Sequence, residues 1–169
     1  MYKRLFAPWR KKYINSLGEK RLHNQNEIKF SSKNFILEAW KNNHKRKEHL
    51  IVKKNNFGLI MLNRYPYVSG HLLVALGDPK PDLLSYSQDM RTEFWNLVTE
   101  AIEMVQETYS PQGINVGINQ GEAGGAGLPS HLHAHVIPRY TGDTNFLTSV
   151  TGIRTIPESL EQSFDRYNK

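Results

Sequence analysis

From residue 49 onward, short apolar runs alternate with polar breaks, and one long stretch keeps a different period. Residues 49–52 (His-Leu-Ile-Val) and 57–62 (Phe-Gly-Leu-Ile-Met-Leu) read as two strands joined by the polar turn Lys53-Lys54-Asn55-Asn56. After a loop broken by Pro66 and Gly70, residues 71–75 read as a third strand, ended by Gly77-Asp78-Pro79-Lys80-Pro81. Between residues 86 and 109 the period lengthens. Met90, Phe94, Leu97, Val98, Ala101, Ile102 and Val105 recur every three or four residues, the apolar stripe of a helix. Ser85-Tyr86-Ser87-Gln88 offers a capping box at its start, and Ser110-Pro111-Gln112-Gly113 stops it. Residues 114–119 alternate again, as a fourth strand. Residues 34–40 carry core residues in a short helix or turn, with a charged loop to Glu48, and residues 157–167 admit a final helix.

The last strand is the segment 130–139, Ser-His-Leu-His-Ala-His-Val-Ile-Pro-Arg. A strand turns successive side chains to opposite faces. His131, His133 and His135 therefore share one face, and Leu132, Ala134 and Val136 the other. The stretch before it, residues 119–127, is rich in glycine. Strands, one long helix, then two more strands predict an α+β fold, with a mostly antiparallel sheet and the helix packed on one face. The organisation read from this is an N-terminal arm and short helix over 1–48, a main domain over 49–150 and a tail over 151–169 that admits a helix. No internal repeat or low-complexity segment interrupts it.

Composition narrows the chemistry. At 169 residues one domain is expected, large enough for a real core. The chain has no cysteine, which excludes disulfides, thiolate metal sites and cysteine nucleophiles. The first ten residues form no apolar run of signal-peptide length, and no apolar stretch is long enough for a membrane span. A cytoplasmic protein without membrane association is expected. The formal net charge is +6. Its basic residues gather at Lys3, Arg4, Arg10, Lys11 and Lys12, and again at Lys41, His44, Lys45, Arg46 and Lys47. Such runs either steer a polyanion or serve as a solvated face.

Taken alone, the alternating histidines fit two chemistries. Three imidazoles with an open position make a catalytic zinc site. Imidazole near its ordinary pKa of about 6.5 is also a nucleophile and proton carrier at neutral pH. Residues 121–127 (Gly-Glu-Ala-Gly-Gly-Ala-Gly) permit close backbone approach and could cradle an anion. They are no P-loop, because no Gly-Lys-Ser/Thr follows.

His131-Leu132-His133-Ala134-His135-Val136-Ile137 resembles the hallmark of the histidine triad superfamily, three histidines interleaved with apolar residues. Leu62-Asn63-Arg64-Tyr65-Pro66-Tyr67 with Gly70-His71-Leu72-Leu73-Val74 resembles the family's upstream strand pair, and Asn119 before the glycine loop its phosphate-side segment. Ala7-Pro8-Trp9-Arg10 and Gly142-Asp143-Thr144-Asn145-Phe146 resemble the branch that contains bacterial diadenosine tetraphosphate phosphorylases.

The resemblance implies a nucleotidyl transferase or hydrolase of dinucleoside polyphosphates, working through a nucleotidyl-histidine intermediate. It makes His133 the nucleophile, His135 and His71 partners at the α-phosphate, and His131 an orienting neighbour. Asn63 is then a ribose contact, residues 59–62 line a base pocket, and Asn119, Gly124, Gly125, Gly127 and Ser130 serve the phosphates. His23, His44 and His49 match nothing and are expected at the surface. A homodimer is implied, with a nucleotide as partner and nucleic acid disfavoured. No metal at the triad and no tightly bound cofactor is expected, with room for a divalent cation on the substrate. The alternative is a nucleotide- or RNA-binding regulatory module with little turnover.

Two departures bear on this. Many members of the branch have a zinc-binding Cys-x-x-Cys near the N-terminus, where this chain has Asn34 and Leu37. Many hydrolase-type members have Gln four residues before the first triad histidine, where this chain has Gly127. The second departure and the N-terminal segment favour phosphate over water as acceptor.

Overall fold

The computed structural model describes residues 34–143 and 156–169. The early basic run, Ala7-Pro8-Trp9-Arg10, His23 and Thr144-Asn145-Phe146 lie outside the described residues. Asn34 Oδ1 accepts the Leu37 N–H at 2.9 Å and starts helix α1, Phe35–Lys41. The strands are β1 (Ile51–Lys54), β2 (Gly58–Leu62), β3 (Leu72–Leu76), β4 (Gly113–Ile118) and β5 (Ala134–Arg139). Helix α2, Gln88–Tyr109, spans 22 residues, and α3 is Leu160–Tyr167. The strands form one sheet in the order β1-β2-β3-β5-β4, every neighbouring pair antiparallel.

The expected elements recur with shifted ends, each shift with a local cause. β1 starts at Ile51 rather than His49, because Leu50 takes a left-handed backbone (φ 59°). The first turn centres on Asn55, whose Oδ1 accepts the N–H groups of Phe57 and Gly58, so Phe57 leaves the strand and stays exposed. Helix α2 is capped by Ser87, not Ser85. Asp82 captures Ser85 instead, through its backbone N–H and its hydroxyl. The capping box sits on α3, where Ser159 and Gln162 exchange bonds.

The alternation of β2 and β3 feeds two apolar layers. Ile60, Leu62, Leu72, Val74 and Leu76 face α2, meeting Phe94, Leu97, Val98, Ala101 and Val105, with Phe164 and Tyr167 of α3. Leu59, Met61, Leu73 and Ala75 face the other way, onto Ile36 and Ala39 of α1. Gly58 permits the close β2–β3 approach: a Cβ there would lie 2.3 Å from the Ala75 carbonyl oxygen.

The turn before β3 is braced from the C-terminus. Gly70 has φ +77°, and a Cβ on it would strike the Tyr109 ring at 2.7 Å. The Tyr167 hydroxyl donates to the Gly70 carbonyl at 2.7 Å. Residue 71 thus leaves a turn fixed by two tyrosines.

The second basic run is largely engaged within the fold. Arg46 donates to the carbonyls of Ile51 and Val52, Lys45 pairs with Glu48, and Lys47 pairs with Glu161 and Asp165. Among the described residues no helix is long and apolar enough to cross a membrane.

Candidate functional site

His71 and His135 come together because β3 and β5 are neighbours. His135 lies in β5 opposite Leu73 of β3 and Gly117 of β4. His71 stands just before β3 and is fully buried. Their rings meet at 2.9 Å, His71 Nε2 to His135 Nδ1. Pairing in β5 begins only at Ala134, so the expected strand of three histidines is in part an irregular approach. The Leu132 N–H donates to the Lys80 carbonyl at 2.7 Å, outside the sheet. The alternation survives that change: Leu132, Ala134 and Val136 enter the α2-side core.

Hydrogen bonds then assign each neutral ring its proton. The Tyr67 N–H, a donor only, reaches His71 Nδ1 at 3.2 Å, with Asn63 Nδ2 at 3.4 Å. His71 therefore carries its proton on Nε2 and donates it to His135 Nδ1. His135 in turn must carry its own on Nε2. His133 has the opposite tautomer. Its Nδ1 lies 2.9 Å from the His131 carbonyl oxygen, which only accepts. The proton is on Nδ1, and the Nε2 lone pair is left over. The rings of His133 and His135 are 5.2 Å apart at an edge-on angle. One presents a lone pair and the other an N–H donor.

Burial sharpens the first role. His133 is 6 % exposed. Desolvation pushes its pKa below the ordinary 6.5, against the opposing hydrogen bond to the His131 carbonyl. His131 is fully buried and lowered chiefly by the same desolvation, helped by His133 and opposed by the Leu76 carbonyl and Asp78. Its Nε2 lies 2.8 Å from the Leu76 carbonyl oxygen and its Nδ1 3.0 Å from Asn34 Oδ1.

Asn63 joins the cluster through His71: its N–H donates to the His71 carbonyl at 2.9 Å, and its Oδ1 accepts the Tyr65 N–H. The glycine loop connects β4 to His131, with Gly124, Gly125, Gly127 and Ser130 exposed along it. Asn119 Nδ2 reaches the Gly125 carbonyl at 3.5 Å. The expected cradle of loop amides is narrower than the sequence suggested. The N–H groups of Gly125 and Ala126 donate within the loop, to Glu122 and Gly121. Residues 59–62, expected to line a base pocket, are buried throughout in the two core layers. His44 is exposed as expected, whereas His49 Nε2 is buried without a hydrogen-bond partner.

Two contributors escaped the sequence reading. The Tyr67 ring lies tilted against His71 (centroids 4.8 Å) and stacks toward His135 (6.0 Å), and its backbone N–H fixes the His71 tautomer. Asn34, notable in the sequence only as a missing cysteine, touches His131. No periodicity signals either contact. A cleft of about 700 Å³ between Ser69, Tyr109, Tyr140 and α3 holds none of the four histidines, so the site rests on their cluster rather than on concavity.

At the Cys-x-x-Cys positions of the resembled branch, the side chains present are poor zinc ligands. Leu37 offers no donor, and Asn34 Oδ1 is engaged by the Leu37 N–H and His131. Among the described residues no three His, Cys, Asp or Glu side chains are grouped to hold a metal ion.

Residues 44–142 match the HIT domain family. The chain is 35% identical over 116 residues to an AP-4-A phosphorylase of Mycobacterium tuberculosis, covering 69% of this chain and 60% of that one. It thus spans about 60% of the length of that relative. A bis(5'-nucleosyl)-tetraphosphatase [asymmetrical] of Schizosaccharomyces pombe is 29% identical over 82 residues, 48% of this chain and 44% of its own. Among solved structures, a Zn-bound histidine triad family protein from Mycobacterium smegmatis superposes with a TM-score of 0.58 at 24% identity, covering 70% of this chain and 80% of that one.

Proposed function

Because the chain belongs to the HIT domain family, we propose that it cleaves dinucleoside polyphosphates by nucleotidyl transfer to His133. The observation that carries the proposal is the opposed pair of tautomers. His133 directs a lone pair, and His135 beside it an N–H, toward the same side of the sheet.

In the first step His133 Nε2 attacks the α-phosphorus, a P–N bond forms, and the P–O bond to the bridging oxygen breaks. With diadenosine tetraphosphate the leaving group is ATP. The His135 Nε2–H donates a hydrogen bond to the charge that develops on the leaving oxygen. His71 keeps His135 in that tautomer. In the second step an acceptor oxygen takes the adenylyl group from His133. Phosphate as acceptor gives ADP, and water gives AMP. Phosphate is favoured, on the absence of Gln at position 127 and on the similarity to the phosphorylase.

The test is product analysis with diadenosine tetraphosphate. ADP plus ATP appearing only when phosphate is supplied supports phosphorolysis. AMP plus ATP without it replaces phosphate by water and keeps the first step. No cleavage in either case removes the proposal.

The pH dependence has a fixed sign. Neutral His133 attacks and protonated His133 does not. Burial lowers the pKa of that ring, so the neutral form persists to lower pH than for a free imidazole. The acid limb of kcat/KM against pH should therefore have its midpoint below 6.5. A midpoint above that value contradicts the assignment.

A homodimer belongs to the same proposal. β4 bonds only β5 and has its other edge open among the described residues, with Val116 and, on α2, Trp95 exposed. Sedimentation at the mass of two chains supports it, and the mass of one chain removes it. The alternative, an RNA-binding module with little turnover, would be supported instead by strongly salt-dependent RNA binding without product release.

A further inference from the structure

We propose that Asn34 is a positioning residue for the reaction, acting on His133 through His131. The inference rests on His133 being the nucleophile. The connection runs through two hydrogen bonds. Asn34 Oδ1 meets His131 Nδ1 at 3.0 Å, and the His131 carbonyl holds His133 Nδ1 at 2.9 Å. The His131 side chain spans the sheet end and the helix cap, with its other nitrogen on the Leu76 carbonyl at 2.8 Å. Both ends of the ring are thus fixed, and with them the peptide whose oxygen selects the His133 tautomer. Were that oxygen to turn away, the Nδ1 proton of His133 would lose its partner, and the lone pair would be shared between the two nitrogens.

The acceptor role of Asn34 suits this task. Both ring nitrogens of His131 face oxygens, the Leu76 carbonyl and Asn34 Oδ1, and the Leu37 N–H holds the latter in place as an acceptor. A His131 ring with a proton on Nδ1 donates it to that oxygen. The titratable groups that act on His131 are His133 and Asp78. The same Asn34 oxygen caps α1, and α1 packs through Ile36 and Ala39 on the face of the sheet that Leu73 of β3 also lines. The cap therefore ties the position of α1 to the orientation of His131, a link across 97 residues of sequence.

The cap and the positioning role separate by substitution. Serine caps helices about as well as asparagine, but its hydroxyl is too short to keep the second bond. Asn34→Ser should keep the thermal midpoint of the parent. It should lower kcat by about ten- to a hundredfold with KM little changed, as small misplacements of a reacting atom do. In ¹⁵N-resolved NMR of the full chain the His133 ring should change from an Nδ1–H signature to a mixture of tautomers. Asn34→Asp keeps an acceptor for both the cap and His131, and should retain most of kcat and the Nδ1–H signature. If Asn34→Ser leaves both kcat and the His133 signature as in the parent, Asn34 is only a cap and the inference falls. The NMR reading needs no turnover. A normal tautomer shift in a chain that cleaves no dinucleoside polyphosphate would refute the proposed function and leave the Asn34–His133 link standing.

Discussion

Replacing His133 with alanine is expected to lower the turnover of diadenosine tetraphosphate by on the order of 10⁴-fold or more, the scale seen when a covalent nucleophile is removed. In the proposed mechanism the substitution removes the atom that forms the P–N bond. His135 cannot stand in for it. Its Nδ1 lone pair is engaged by His71, and its Nε2 carries a proton. Substrate affinity should fall far less than kcat, because the loop glycines and Asn63 are untouched. Folding should be preserved, since His133 makes its one described hydrogen bond to a neighbouring backbone carbonyl. Steady-state kinetics with the purified variant, checked against its thermal midpoint, reads both. Residual turnover within tenfold of the parent would move the nucleophile elsewhere.

The second large effect concerns the platform beneath the site. Phe94 is completely buried in the layer between α2 and the sheet, and its ring meets Trp95 edge-on at 5.6 Å. Phe94→Ala leaves a cavity that a helix held by Leu97, Val98 and Ala101 cannot close. The expected cost is about 3–5 kcal/mol, a large part of the stability of an ordinary domain. In a chain of this size that corresponds to a fall in thermal midpoint of roughly 10 °C. Below the new midpoint kcat should stay near the parent value, because Phe94 belongs to the apolar layer rather than to the histidine cluster. Calorimetry and activity at low temperature test the two halves separately. A loss under about 1 kcal/mol would mean that the layer collapses around the gap, as well-relaxing sites do.

How much of this was legible before the structure depends on the distance over which each feature is decided. The α2 stripe and its stop at Ser110-Pro111 are local, and the helix follows them to Tyr109. The cap is less local: both Ser85 and Ser87 qualify, and the choice falls to Ser87 because Asp82 binds Ser85. The histidine alternation correctly separated an apolar face from a polar one. It could not show that pairing starts at Ala134, because Leu132 bonds to Lys80, on a loop more than fifty residues earlier. The resemblance supplied His133 as nucleophile, yet which of its nitrogens is free depends on a carbonyl two residues back. The His71 tautomer depends on the backbone of Tyr67, whose side chain gives no hint of it. Asn34 and His131 are joined only by the packing of α1 on the sheet, and no spacing rule reaches across such a separation.

The central claim is a covalent bond between His133 and a nucleotide. It is tested most directly by the mass of the protein incubated with diadenosine tetraphosphate without added phosphate and quenched in alkali as ATP is released. Attack by His133 predicts a population heavier by one adenylyl group. The label should map to the peptide containing His133 and be lost on brief acid treatment, as a phosphoramidate is. Unmodified protein during active cleavage, or an adenylyl group on any other residue, would contradict it.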